Sequence, residues 1–189
     1  MPAPPIELDR PLITADQIEG RLRELAGEIS RDLGRADRPV SVIVVLKGAA
    51  FFAVDLMKHL DFSTRVDFLQ ASSYHGGTES LGEVTLVKDI TMSVAGTHVL
   101  LVEDIVDTGL TASWLKQHLA SHHPASLKLV TLLDKPSRRR VPVDIDFIGF
   151  QIPDEFVLGY GLDYDEGYRN LPAVYVARPK AKNIPNIGP

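Results

Sequence analysis

Two adjacent carboxylates, Glu103 and Asp104, end the apolar run Val99-Leu100-Leu101-Val102, and a third, Asp107, follows three residues later. Thr108, Gly109, Leu110 and Thr111 then lead into a helical pattern at Ala112-Ser113-Trp114-Leu115-Lys116. These residue types divide by what they can hold. The segment Asp107-Thr108-Gly109-Leu110-Thr111 offers backbone N–H groups and two hydroxyls to a phosphate at the positive end of the following helix. Carboxylates repel phosphate, so Glu103 and Asp104 must face something else. Sugar hydroxyls and a hydrated Mg2+ are partners that acidic oxygens accept. Phosphate, diol and metal side by side describe a phosphorylated ribose.

Such groups need rigid elements behind them. His98 to Val102 reads as a buried central strand, and Ser41 to Leu46 is a short β-branched run of the kind covered on both faces. Further strands are expected near 64–70, 83–88, 127–133 and 146–150. Thr14 and Gln17 form a capping box, and Ile18, Leu22, Leu25, Ile29 and Leu33 follow at helical spacing until Gly34. A second helix is expected over 49–60. Alternation of strand and helix predicts an α/β fold with a mainly parallel sheet flanked by helices. Ligands in such sheets sit at the carboxyl ends of the strands, which brings Lys47, Asp104, Asp107 and Lys135 to one edge. The polar stretch 71–82, with Gly76-Gly77, reads as a flexible loop. The Pro-rich first dozen residues are expected to be extended and Lys180 to Pro189 frayed.

Composition narrows the function further. The chain has 189 residues, 44% hydrophobic and 24% charged, which predicts one globular domain spanning 1–189. A net charge of −5 counts against a nucleic-acid binder that relies on bulk positive charge. The chain contains no cysteine, which excludes disulfide and thiolate chemistry. No leader pattern and no run near the roughly 20 apolar residues of a membrane span is present, so a soluble cytoplasmic protein is expected.

Five blocks occur in an order that resembles the purine phosphoribosyltransferases, and within them the bacterial hypoxanthine-guanine phosphoribosyltransferases. They are Leu46-Lys47-Gly48; Ser72-Ser73-Tyr74; Val102 to Gly109; Leu133-Asp134-Lys135-Pro136-Ser137-Arg138-Arg139; and Ile152-Pro153-Asp154-Glu155-Phe156-Val157 running on to Tyr164. The resemblance implies a type I phosphoribosyltransferase fold with a small hood built from the N- and C-terminal segments. It also implies transfer of ribose 5-phosphate from 5-phosphoribosyl 1-diphosphate to N9 of hypoxanthine or guanine, giving IMP or GMP and pyrophosphate.

The resemblance also assigns roles. Asp107, Thr108, Gly109, Leu110 and Thr111 would hold the 5′-phosphate, and Asp107 would be the general base at purine N7. Glu103 and Asp104 would bind the ribose hydroxyls and Mg2+, with Asp163 a further Mg2+ contact. Lys135 would donate to purine O6, which disfavours adenine. Phe156 would stack on the base and the Val157 backbone would meet its pyrimidine edge. Lys47, Gly48 and Arg169 would bind pyrophosphate, with the Leu46–Lys47 peptide cis. Ser73 and Tyr74 would lie in a closing loop. A homodimer or homotetramer is implied, with 47–52 as an interface segment.

Several of these residues have plainer readings alone. Phe156 reads as core, Trp114 as helix packing, and His122-His123 as surface without ligand spacing. Arg138-Arg139-Arg140 reads as a solvated run or a subunit contact. That basic run motivates an alternative, an RNA-binding nucleotide-sensing regulator on the same fold. A relative preferring xanthine or guanine is a closer alternative. Asp165-Glu166-Gly167 has no assigned role.

Overall fold

The computed structural model describes residues 6–34, 37–73 and 84–179. At its centre lies β5 (His98–Val106), flanked by parallel β2 (Val40–Val45) and β6 (Ser126–Asp134). Outside these come β3 (Thr64–Ser73), β4 (Val84–Lys88) and β7 (Phe147–Gln151), in the order β4-β3-β2-β5-β6-β7. Only the β3–β4 pair is antiparallel. The expected α/β architecture is thus observed.

Two cores explain why the inner strands carry apolar residues on both faces. Alternate side chains of a strand point to opposite faces. On β2 and β5, Val42, Val44, Leu100 and Val102 enter one core; Ile43, Val45, Val99 and Leu101 enter the other. The first core is closed by α1 (Ala15–Leu33) and α2 (Ala49–Met57), through Leu22, Leu25, Ile29, Phe52 and Leu56. The second is closed by α3 (Leu110–Ala120), through Leu115 and Leu119.

The capping box at Thr14 is present: its hydroxyl accepts from Gln17 N–H at 3.2 Å, and its own N–H donates to Gln17 Oε1 at 2.9 Å. Gly34 keeps a right-handed φ of −67°, so α1 ends without the left-handed turn that a terminal glycine often makes. A second sheet joins the ends of the described chain, in the order β1 (Ile6–Ile13), β9 (Val174–Pro179), β8 (Val157–Leu158), all antiparallel.

Two expected boundaries move. β5 continues through Glu103 and Asp104 to Val106, because β6 pairs with it as far as Asp134. The expected loop over 71–82 loses its first residues to β3, since Ala71, Ser72 and Ser73 pair with β4. Tyr74 and the remainder of that loop lie outside the described residues, as do 180–189.

Asp67 on β3 anchors the connection between β4 and β5. Burial pushes its carboxyl up, but N–H groups of Met92, Phe68 and Thr91 and the Thr91 hydroxyl outweigh this and hold it at about 2. A carboxyl held below its ordinary value stabilises the fold above that value and loses the contribution as pH falls. Asp67→Asn is therefore expected to cost about 2 kcal/mol at neutral pH. Urea unfolding at several pH values should show the gap to the unmodified protein closing between about pH 4 and pH 2.

Candidate active site

Asp107 follows the last residue of β5, and Gly109 caps α3 with a left-handed φ of 84°. A side chain at Gly109 would meet Val141 O at 2.4 Å and Arg139 Cδ at 3.0 Å, so both the conformation and the space demand glycine. The segment after β6 backs this loop: Arg140 N–H and Val141 N–H donate to Thr108 O at 2.9 and 3.1 Å. Leu110 N–H donates to the Thr108 hydroxyl at 3.4 Å, and the following N–H groups of α3 stand at the positive end of its dipole beside Thr111. Asp107 Oδ1 accepts from Arg138 Nε at 3.0 Å, and Arg138 also lies 3.6 Å from Asp154.

Glu103 is buried, and Asp104 beside it is partly so. Burial and the adjacent Asp104 charge push the Glu103 carboxyl well above the usual carboxylate range. Burial also raises Asp104, against the opposing pull of its own and the Ile105 N–H and of Arg169. Asp104 reaches back to the turn after β2. An added Cβ at Gly48 would lie 1.7 Å from Asp104 Oδ2. The Leu46–Lys47 peptide in that turn is cis. Two neighbouring carboxylates with depleted compensation form an all-oxygen donor set, the chemistry that suits a hard divalent cation.

Lys47 Nζ is 2.9 Å from Glu166 Oε2, and Arg169 Nη2 lies 3.3 Å from the same oxygen and 2.9 Å from Asp163 Oδ1. Arg169 is pinned by Nη1 to Gly161 O at 2.7 Å, and its Nε is buried without a partner among the described residues. Asp163 Oδ2 accepts the Glu166 N–H at 2.9 Å. The residues left without a role in the sequence, Asp165 and Glu166, thus form a left-handed turn whose carboxylate bridges two cations from distant segments.

Lys135, at the end of β6, is buried, and its amine donates to Glu155 O at 2.6 Å. The next residue, Phe156, is 50% exposed and meets Tyr164 edge-on at 5.9 Å between ring centres. An aromatic ring held half in solvent is not core, which removes the plainer reading of Phe156. Val157 beside it is buried. A buried cationic donor next to an open aromatic face can read a polar edge of a flat heterocycle while stacking on it.

In the run Arg138-Arg139-Arg140 the outer two residues are solvent-exposed, as expected, and Arg139 departs from that reading. Arg138 faces Asp107 and Asp154, and Arg139 is ion-paired with buried Asp134. Their partners lie on other elements, so charge pattern along the chain carries no sign of this. The strand-end location of Ser73 is described; Tyr74 falls outside the described residues.

Residues 13–165 match the phosphoribosyl transferase domain family. The chain belongs to this family. Among curated relatives, hypoxanthine-guanine phosphoribosyltransferase of Bacillus subtilis is 44% identical over 173 residues, 92% of this chain and 95% of that protein. The enzyme of the same name from Staphylococcus aureus is 43% identical over 174 residues, 92% of this chain and 96% of that one. A crystal structure of hypoxanthine-guanine phosphoribosyltransferase from Bacillus anthracis superposes with a TM-score of 0.84 at 45% identity, covering 92% of this chain and 99% of that one. The phosphoribosyltransferase fold and family implied by the sequence blocks are therefore established.

Proposed function

We propose that this phosphoribosyltransferase performs purine salvage: it transfers ribose 5-phosphate from 5-phosphoribosyl 1-diphosphate to N9 of hypoxanthine or guanine, releasing pyrophosphate and IMP or GMP. The observation that carries this reading is the base end of the site. Buried Lys135 and exposed Phe156 stand side by side, while the phosphate loop and the buried carboxylates lie at the end of the neighbouring strand.

The chemistry follows from the charges that develop. As the C1′–O bond breaks, positive charge grows on the sugar ring, as in glycoside hydrolysis. Glu103 and Asp104 hold the ribose hydroxyls, and the neighbouring pair, able to share one proton, still places negative charge beside that ring. The N–H groups of the Asp107–Thr111 loop hold the 5′-phosphate and fix the ring in place. Asp107 accepts the proton that the entering purine must lose, because a neutral base is a weak nucleophile. Lys47, Gly48 and Arg169 receive the departing pyrophosphate; Glu166 holds the two cations in its place beforehand. Glu103, Asp104 and Asp163 are the residues that would hold Mg2+. When bound, the ion supplies positive charge against the anionic leaving group.

The three-stranded sheet β1-β9-β8 serves as the hood, carrying Val157 under the base, and the whole chain works as one domain. Its place is the cytoplasm; no helix among the described residues is long and apolar enough to cross a membrane. A homodimer or homotetramer is favoured by the exposed apolar residues Phe51 and Val54 on α2 and Val66 and Phe68 on β3. Sedimentation at micromolar concentration should give more than one protomer. The basic run behind the RNA-binding alternative is partly neutralised, because Arg138 faces Asp107 and Asp154 and Arg139 is held by Asp134, while Arg140 stays exposed.

The test is turnover with phosphoribosyl diphosphate and Mg2+ against hypoxanthine, guanine, xanthine, adenine and uracil separately. Turnover with a 6-oxopurine and none with adenine is expected, and the ratio of rates fixes the preference. Absence of turnover with every base overturns the proposal. Lys135→Met removes a charged donor to O6, so kcat/KM for the oxopurine should fall about tenfold to a hundredfold. Discrimination against adenine should narrow with it.

A further inference from the structure

Helix α3 carries the phosphate loop at one end and an unassigned cluster at the other. Trp114 and His118 lie four residues apart on one stripe of α3, and His122 follows in the turn just past its end. The Trp114 and His118 rings are parallel within 5°, their centres 5.3 Å apart, and the His122 ring meets His118 edge-on at 5.1 Å. Asp89, from the connection between β4 and β5, places Oδ1 2.9 Å from His118 Nε2. One ligand atom from each of Asp89, His118 and His122 lies within 4.8 Å of the other two.

We propose that Asp89, His118 and His122 form a binding site for a divalent transition-metal ion of the Zn2+ type, which clips the end of α3 to the β4–β5 connection.

Geometry and chemistry support this independently of the transferase reading. Imidazole and carboxylate bonds to Zn2+ are about 2.0–2.2 Å, which sets neighbouring ligand atoms about 3.3 Å apart in a tetrahedron. The Asp89–His118 pair meets that spacing with only a small opening. The His122 atom has at most about 1.5 Å to travel, which a turn of a partly exposed ring supplies. Two imidazoles favour Zn2+, Ni2+, Cu2+ or Co2+ over Mg2+, which takes oxygen ligands. The cluster therefore differs in kind from the carboxylate pair at Glu103 and Asp104.

The ligands are also held from behind, as ligands of a built site are. Trp114 fixes the plane of His118. Asp89 Oδ1 accepts the Ile90 N–H at 2.7 Å. The segment that carries Asp89 is tied to β3 by Asp67, which accepts the N–H groups of Thr91 and Met92 at 2.6 and 2.9 Å. A plain hydrogen bond between Asp89 and His118 would need neither this bracing nor His122. The sequence hid the cluster because the adjacent pair His122-His123 draws attention, whereas the partner of His122 is His118, one helical turn earlier.

The chain supplies its own reporter. Trp114 is the only tryptophan, and it touches a proposed ligand. Tag-free full-length protein is titrated with Ni2+ while Trp114 fluorescence is followed. The expected result is saturable quenching with one ion per chain, complete below about 100 µM, reversed by EDTA and competed by Zn2+ but not by millimolar Mg2+. His122→Ala leaves the Trp114–His118 stack and the Asp89 hydrogen bond intact, yet should weaken binding at least about tenfold; Asp89→Asn should do likewise. Zn2+ should raise the melting temperature of the unmodified protein and leave that of His122→Ala unchanged. Unsaturable quenching, or equal affinity in His122→Ala, overturns the proposal. Circular dichroism and transferase turnover of the variants verify that they fold, since none of these residues lies in the transferase site.

Discussion

Asp107→Asn is expected to lower turnover by about a hundredfold to ten-thousandfold, with little change in the KM for phosphoribosyl diphosphate. The substitution preserves the size and planarity of the side chain. It removes the one property assigned to Asp107 beyond its backbone, the capacity to accept a proton. The proposed binding of the 5′-phosphate rests on the N–H groups of the loop, and those remain, because Gly109 and the backbone contacts of Arg140 and Val141 to Thr108 hold the loop from behind. The loss should therefore appear in kcat and not in KM, the pattern of an interaction made at the transition state. The Arg138–Asp107 ion pair is lost as well. Both side chains are substantially exposed, so the melting temperature should barely move. Steady-state kinetics with hypoxanthine and guanine measure this directly. Turnover within roughly threefold of the unmodified enzyme would remove Asp107 from the role of base.

Gly48→Ala is expected to be nearly as damaging for a different reason. Gly48 has an ordinary right-handed φ of −61°, so backbone conformation does not demand glycine there. Space does. The new methyl would sit 1.7 Å from Asp104 Oδ2 and 2.6 Å from its Cγ, and the carboxylate has to leave. Overpacking of this kind costs about 1–3 kcal/mol, which a domain with two intact cores tolerates. The displaced carboxylate is the one proposed to hold the ribose and the metal, however, and misplacing such a group by about 1 Å costs on the order of a hundredfold. We expect kcat/KM to fall by about that factor or more, with an apparent Mg2+ requirement shifted to higher concentration. Circular dichroism should report a folded protein. Wild-type kinetics in Gly48→Ala would mean that Asp104 has no part in the reaction.

The two variants also mark what sequence can and cannot reveal. The strand-to-helix turn at Asp107 is legible because its pattern is local: an apolar strand, a carboxylate, then Thr-Gly at a helix start, all within one stretch of chain. The capping box at Thr14 and the two-faced strands β2 and β5 were legible for the same reason, since period and capping are properties of neighbours. The close approach of Gly48 to Asp104 joins segments far apart in the chain, and glycine in a turn looks the same with or without a carboxylate above it. Glu166 reaches Lys47 across 119 positions, and nothing beside Glu166 announces it. The acidic partners of Arg138 and Arg139, namely Asp107, Asp134 and Asp154, come from three places that only the fold assembles. The five blocks of the family resemblance single out Lys47, Gly48 and Lys135 as positions. They carried no information on which groups those residues rest against.

The pairing of β1 with β9 bears on how the protein emerges from the ribosome. β1 is made before every other described strand and β9 after them, and among the described residues β1 pairs only with β9. Every strand of the six-stranded sheet, and all three helices, precede β9 in the chain. A nascent chain halted before residue 174 can close the sheet around β5 and shape the loop that begins at Asp107. It cannot complete the small sheet that carries Val157, nor recruit its own first strand. Among the described strands, the earliest made is therefore the last to find its pairing partner.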